Sequence, residues 1–155
     1  MSQRQSNNRE KYFRQIDFIF YHEKQIRDAV TEARISGGRD GTISLFPVAN
    51  ANNFSNPTAT EAIKNLTPLK FVKLPDGTII KYPEKWLTVI AKTYDWCKKQ
   101  NDCRYKVAKR RYSNEDYRKT CIDLNISNTT RRRLLELVQI YAALQAVQAG
   151  LIRVE

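Results

Sequence analysis

Apolar residues recur at steps of three and four through much of this chain, with charges between them. From Arg9 to Ile35, the positions Ile16, Ile19, Phe20, Ile26, Val30 and Ala33 predict one amphipathic helix. The polar residues 1–9 predict a frayed end. Ser36-Gly37-Gly38 predicts a stop, since glycine accepts the left-handed conformation in which helices end. Residues 39–56 have no strong period and are rich in Gly, Asn and Pro. They predict a loop or linker between two units, with a short strand at Thr42–Phe46. Asn56 caps and Pro57 opens a short helix to Leu66, with Thr58 and Glu61 in its first turn, and Thr67-Pro68 ends it. Lys70–Leu74 and Thr78–Tyr82 then flank Pro75-Asp76-Gly77, the pattern of a hairpin that must pack on a helix to be stable.

Pro83 opens a further helix whose stripe of Trp86, Leu87, Ile90, Tyr94 and Cys97 reads as core. Asn101-Asp102 breaks it, and Asp102 is the expected cap of a helix from Cys103 to Tyr112. That helix sets Tyr105, Val107, Ala108 and Tyr112 against Arg104, Lys106, Lys109, Arg110 and Arg111. Ser113-Asn114-Glu115-Asp116 resembles a capping box and predicts a helix from Asn114 to Asp123, with Tyr117, Cys121 and Leu124 facing inward. Asn125 suits the left-handed residue of a tight turn, and Ile126 is expected to bury between two helices. Ser127 caps the next helix, with Asn128, Thr129 and Thr130 in its first turn.

The predicted fold class is therefore mainly α: multi-helical, with a C-terminal helix-turn-helix and one small β-hairpin. Its divisions are 1–38 (N-terminal helix), 39–56 (linker), 57–100 (helix, hairpin and helix) and 101–155 (helix-turn-helix with a long final helix).

Charge sharpens this reading. The chain of 155 residues carries a formal net charge of +11. Residues 98–133 hold 12 basic and 4 acidic groups, a net of +8. Clustered basic charge is the electrostatic footprint of phosphate binding, and a helix-turn-helix places its second helix in the DNA major groove. Double-stranded DNA is thus the expected partner. The expected contacts are Ser127, Asn128, Thr129, Thr130, Arg131, Arg132 and Arg133, supported by Lys109, Arg110, Arg111, Arg118 and Lys119. Three consecutive arginines circle one helical turn, so they cannot all face one groove. One is expected to reach a base and the others to hold phosphates. Position 131 breaks the usual pattern, since it is commonly apolar and packs back on the preceding helix.

Beyond Arg133 the helix is apolar. Leu134, Leu137, Val138, Tyr141 and Leu144 share a stripe with Gln145 and Gln148. The segment either packs on the N-terminal helix or pairs with its own copy as a homodimer.

Other chemistries find little footing. Cys97, Cys103 and Cys121 form no CxxC pair and His22 stands alone, so no metal spacing is present. No Gly-rich phosphate loop, paired acidic motif or Ser/His/Asp set is visible, and neither enzyme activity nor a cofactor is expected. No apolar run approaches a membrane span, and the polar start lacks a signal-peptide core, which points to the cytoplasm.

The segments NPTATEAI, LPDGTIIKYPEKWLTVIAKTY, YSNEDYRKTCIDLNIS and LQAVQAGLI together resemble phage transcriptional regulators of the RinA type. These have a helix-turn-helix similar to region 4 of sigma factors. The resemblance covers about residues 10–150. It implies an activator that binds near promoters of packaging or transfer operons, with RNA polymerase as a further candidate partner. It places DNA reading on Ser127 to Arg133, and Arg131 departs from its aromatic or aliphatic pattern. A phage small terminase subunit is the alternative, as it also combines a DNA-binding helical motif with oligomerising helices.

Overall fold

The computed structural model describes residues 3–35 and 67–153. The expected stop at 36–38, the linker at 39–56 with its strand at Thr42–Phe46, and the helix at 57–66 all lie outside these residues. The described residues are mainly helical, with one two-stranded antiparallel sheet. In chain order they form α1 (Gln3–Tyr21), α2 (Glu23–Ile35), β1 (Phe71–Lys73), β2 (Ile79–Lys81), α3 (Pro83–Gln100), α4 (Asp102–Tyr112), α5 (Tyr117–Asp123) and α6 (Asn128–Gln148).

Two expectations about the N-terminus are corrected. The helix begins at Gln3 rather than near Arg9, and it is two helices interrupted at His22 rather than one. The His22 ring stacks on Phe18 at 4.1 Å, and its Nδ1 donates to the Phe18 carbonyl at 2.8 Å. A side chain that bonds its own helix four residues back competes with regular continuation.

The chain divides into two units, residues 24–87 and the remainder. In the unit 24–87, Val72 pairs with Ile80 at the centre of the hairpin, and both are buried. Gly77 at φ +89° makes the turn possible, and Asp76 Oδ1 accepts from the Thr78 amide at 2.9 Å. Glu84, in the first turn of α3, accepts from Arg34 of α2 and from the Leu69 amide at 3.1 Å. One carboxylate thus ties a helix end, the approach to β1 and the start of α3 together.

In the other unit, α6 packs mainly on α1 and α4. Its buried residues are Val138, Ala142 and Ala146, one row at steps of four. Small side chains there let the helices approach closely. Ile16, Ile19 and Phe20 of α1, Val89, Ile90, Tyr94 and Cys97 of α3, and Val107, Ala108 and Tyr112 of α4 are the buried apolar residues around them. Phe20 meets Tyr94 edge-on at 5.5 Å and Tyr112 at 4.8 Å, pairs each worth about 0.5–1.5 kcal/mol beyond their burial. Trp96 of α3 stacks on Tyr141 of α6 at 4.2 Å, and the Arg104 guanidinium lies 4.5 Å from the Trp96 ring. Asp17 Oδ1 accepts from the Tyr112 hydroxyl at 2.8 Å and from the Gln139 amide at 2.9 Å, which joins α1, α4 and α6 through one oxygen. Burial, with the Asp17 charge beside it, holds the Tyr112 phenol well above its ordinary range.

Candidate nucleic-acid interface

Three successive helices stop by one device. After α4, α5 and α6 a residue with positive φ turns the chain: Asn114 (60°), Asn125 (50°) and Gly150 (71°). At each stop the next residue's amide bonds back to a carbonyl inside the helix: Glu115 to Arg110, Ile126 to Cys121 and Leu151 to Ala146. This is the Schellman closure, which satisfies the last carbonyls of a helix. Asn is the side chain that tolerates this conformation best after Gly.

These closures correct the expected start of α5. Ser113 ends α4, donating its hydroxyl to the Arg110 carbonyl, instead of opening the next helix. Asp116 is the cap, accepting from the Arg118 amide at 3.0 Å, and α5 runs from Tyr117 rather than from Asn114. Likewise Asn101, not Asp102, caps α4, accepting from the Arg104 amide. Shifting the start of α5 changes its inner face. Thr120 is the buried residue, Cys121 and Leu124 are half-buried, and Tyr117, expected inside, is exposed. Ile126 is half-buried.

Ser127 caps α6 as expected, its Oγ accepting from the Thr130 amide at 3.1 Å. Such a cap contributes about 1 kcal/mol. The free amides of a first helical turn also present a partial positive charge to anions.

Arg131 explains its own departure from the apolar pattern. Its guanidinium lies 5.2 Å from the centroid of the Tyr117 ring, so it still packs back on α5, through cation–π contact instead of aliphatic contact. Its Nε and Nη2 both donate to Asn128 Oδ1, at 3.0 and 2.9 Å. The Asn128 oxygen is therefore occupied and its amide NH2 remains to donate. In this state Asn128 suits an acceptor such as guanine O6 or N7. The two-point contact to adenine needs its oxygen as well.

The remaining cations fall into two groups. Arg110 donates to Asp123 at 2.7 Å and to Glu115 at 3.4 Å, which holds α4 against the end of α5 and offsets its charge. Lys119 meets Glu115 at 3.6 Å, and Lys109 lies 3.9 Å both from Glu23 and from the Tyr94 ring centroid. Arg111 lies over Tyr21, and Arg118 donates to the Tyr117 hydroxyl. Arg132 and Arg133 differ from all of these. Both are exposed, and neither has a hydrogen bond or ion pair among the described residues. Thr129 and Thr130 are exposed beside them. The structure thus brings Asn128, Thr129, Arg132 and Arg133 together at one helix start and diverts Arg110 and Arg131 to internal contacts.

Among the described residues no group of three or more His, Cys, Asp or Glu could hold a metal ion, and no helix is long and apolar enough to cross a membrane. Burial pushes the Cys97 thiol up to about 11, far from a reactive thiolate. Set against protein-family models, curated proteins and solved structures, the chain matches none of them.

Proposed function

We propose that the chain is a sequence-specific double-stranded-DNA-binding transcriptional regulator, an activator of phage or prophage origin. In this reading α5, residues 124–127 and α6 act as a helix-turn-helix, with the start of α6 in the major groove. One observation carries it: Arg132 and Arg133 stand exposed and unpartnered on the first turns of a Ser-capped helix, one tight turn after α5. They belong to the segment 98–133, whose net charge of +8 favours phosphate. Thr129 and the Asn128 amide supply short polar groups for base edges, and Arg131 holds Asn128 in place. The phage origin and the activator role rest on the resemblance to RinA-type regulators, for which RNA polymerase is the second partner met at a promoter.

Selection of bound duplexes from a random library tests the reading. Enrichment of a defined motif, followed by a gel shift that a scrambled duplex fails to compete, is the expected result. Equal and weak retention of every duplex would contradict it. The apolar C-terminal part of α6 keeps a small terminase subunit as the second reading. A closed ring of many copies in solution would favour it.

A further inference from the structure

The buried row of α6 uses only one of its two apolar faces. Val138, Ala142 and Ala146 face the chain's own core. Leu137, Ile140, Leu144 and Val147 form a second row and are 42, 38, 56 and 37% exposed. Their steps of three, four and three are those of a coiled-coil seam. The order of steps is also the same read from either end. A row of that kind is complementary to itself when a second helix runs antiparallel across it.

Charge selects the occupant. Each chain carries +11, so two copies repel on approach. From Leu134 to Ile152 the only charged residue is Glu136, and Arg9 of the same chain pairs with it. This segment therefore adds little like-charge repulsion of its own when it meets a second copy. Charge also selects the direction. Arg133 lies one turn before Leu137 on the same row. Parallel helices would set Arg133 against its own copy, whereas antiparallel helices hold the two arginines at opposite ends.

We infer that the exposed row of α6 pairs with the same row of a second copy, antiparallel and two-fold symmetric about a point near Ala142. Leu137 then faces Val147 of the other chain, and Ile140 faces Leu144. On the flank of the row, exposed Glu136 faces exposed Gln148. Such a pairing closes on itself as a dimer and does not propagate. Where the DNA-binding reading holds, a consequence follows for the operator. Residues 128–133 are centred about eleven and a half residues from the symmetry point, so at about 1.5 Å per residue the two reading segments stand at most about 35 Å apart along the pair. One turn of DNA separates half-sites by about 34–36 Å.

The test is solution mass by light scattering of the full chain without DNA, so that its outcome is independent of the DNA reading. Twice the chain mass of 18.1 kDa is expected. Leu144→Glu should halve the mass and leave the helical circular dichroism unchanged, because Leu144 is not part of the core. Adding Ile140→Lys to Leu144→Glu should restore the dimer, since the new lysine faces the new glutamate of the other chain only in the antiparallel arrangement. A single-chain mass for the unaltered protein would overturn the inference and leave the row to a different partner protein. A ring larger than a dimer, a Leu144→Glu variant that stays dimeric, or failure of the double variant to recover would overturn it equally.

Discussion

The two halves of α6 are one unbroken helix with opposite surfaces. Asn128 to Arg133 expose polar and cationic side chains and bury none. Leu134 to Gln148 hold Val138, Ala142 and Ala146 at zero exposure and carry one charge. In the first half Arg131 turns back onto Tyr117 and Asn128, while Arg132 and Arg133 have no hydrogen bond or ion pair among the described residues. The second half is fixed because α1 and α4 grip it. A rigid helix that is anchored at one end and chemically open at the other is a way to present a few side chains at a set position. It separates residues that hold the fold from residues that meet a partner, and substitutions can therefore break one without the other.

The largest effect is expected in the anchor. Val138→Asp places an unpaired carboxylate at a fully buried site and should cost about 4 kcal/mol or more, enough to unfold much of a domain of ordinary stability. Urea denaturation would show a collapsed midpoint. Asp17→Ala comes next, because it leaves the Tyr112 hydroxyl and the Gln139 amide without their shared acceptor. A loss of about 2–4 kcal/mol is expected by the same measurement.

The anchor also has a pH signature. Burial raises the Tyr112 phenol above its ordinary range and the Cys97 thiol to about 11. Both groups bind their protons more tightly in the folded chain than in the unfolded one. Stability should be complete at neutral pH and should fall as the pH rises from about 9 through about 11, the thiol contributing first. Thermal melts across that range check the sign. A rise in stability there would place the two groups outside the core.

The open half should behave oppositely. Ser127→Ala removes the cap and should cost only about 1 kcal/mol. Tyr117→Ala should cost about 0.5–1 kcal/mol, the worth of an exposed cation–π contact. By freeing Arg131 it should also loosen Asn128, so its clearer readout is a changed base preference in duplex selection. Asn128→Ala should change that preference with no effect on stability.

Much of this architecture was legible because its signals are local. The hairpin follows from Pro75-Asp76-Gly77, the start of α3 from Pro83, the turn from Asn125 and the cap of α6 from Ser127. Each acts within a few residues of the backbone it shapes. What escaped depends on residues far away in sequence or on competition between neighbours. Ser113 satisfies the end of α4 before it can open α5, and at the start of α5 the buried position is Thr120 instead of Tyr117. Arg110 looked like a free cation until the fold brought Asp123 to it. The apolar residues of α6 were visible, but their division into a buried row and an exposed row was not. Val138 and Leu137 differ only in which face α1 and α4 cover. At position 131, an arginine where an aliphatic residue is usual gave warning. The exposed Tyr117 that receives it carries the same sequence signal as a core aromatic.

The salt dependence of duplex binding tests the central claim most directly. Each phosphate contact that arginine makes contributes about 0.9 to the slope of log affinity against log salt concentration. Arg132→Ala with Arg133→Ala should weaken binding by about 2–4 kcal/mol and flatten the slope by about 1–2 units, with an unchanged urea midpoint. Unchanged affinity and slope in that variant would show that the start of α6 does not meet DNA.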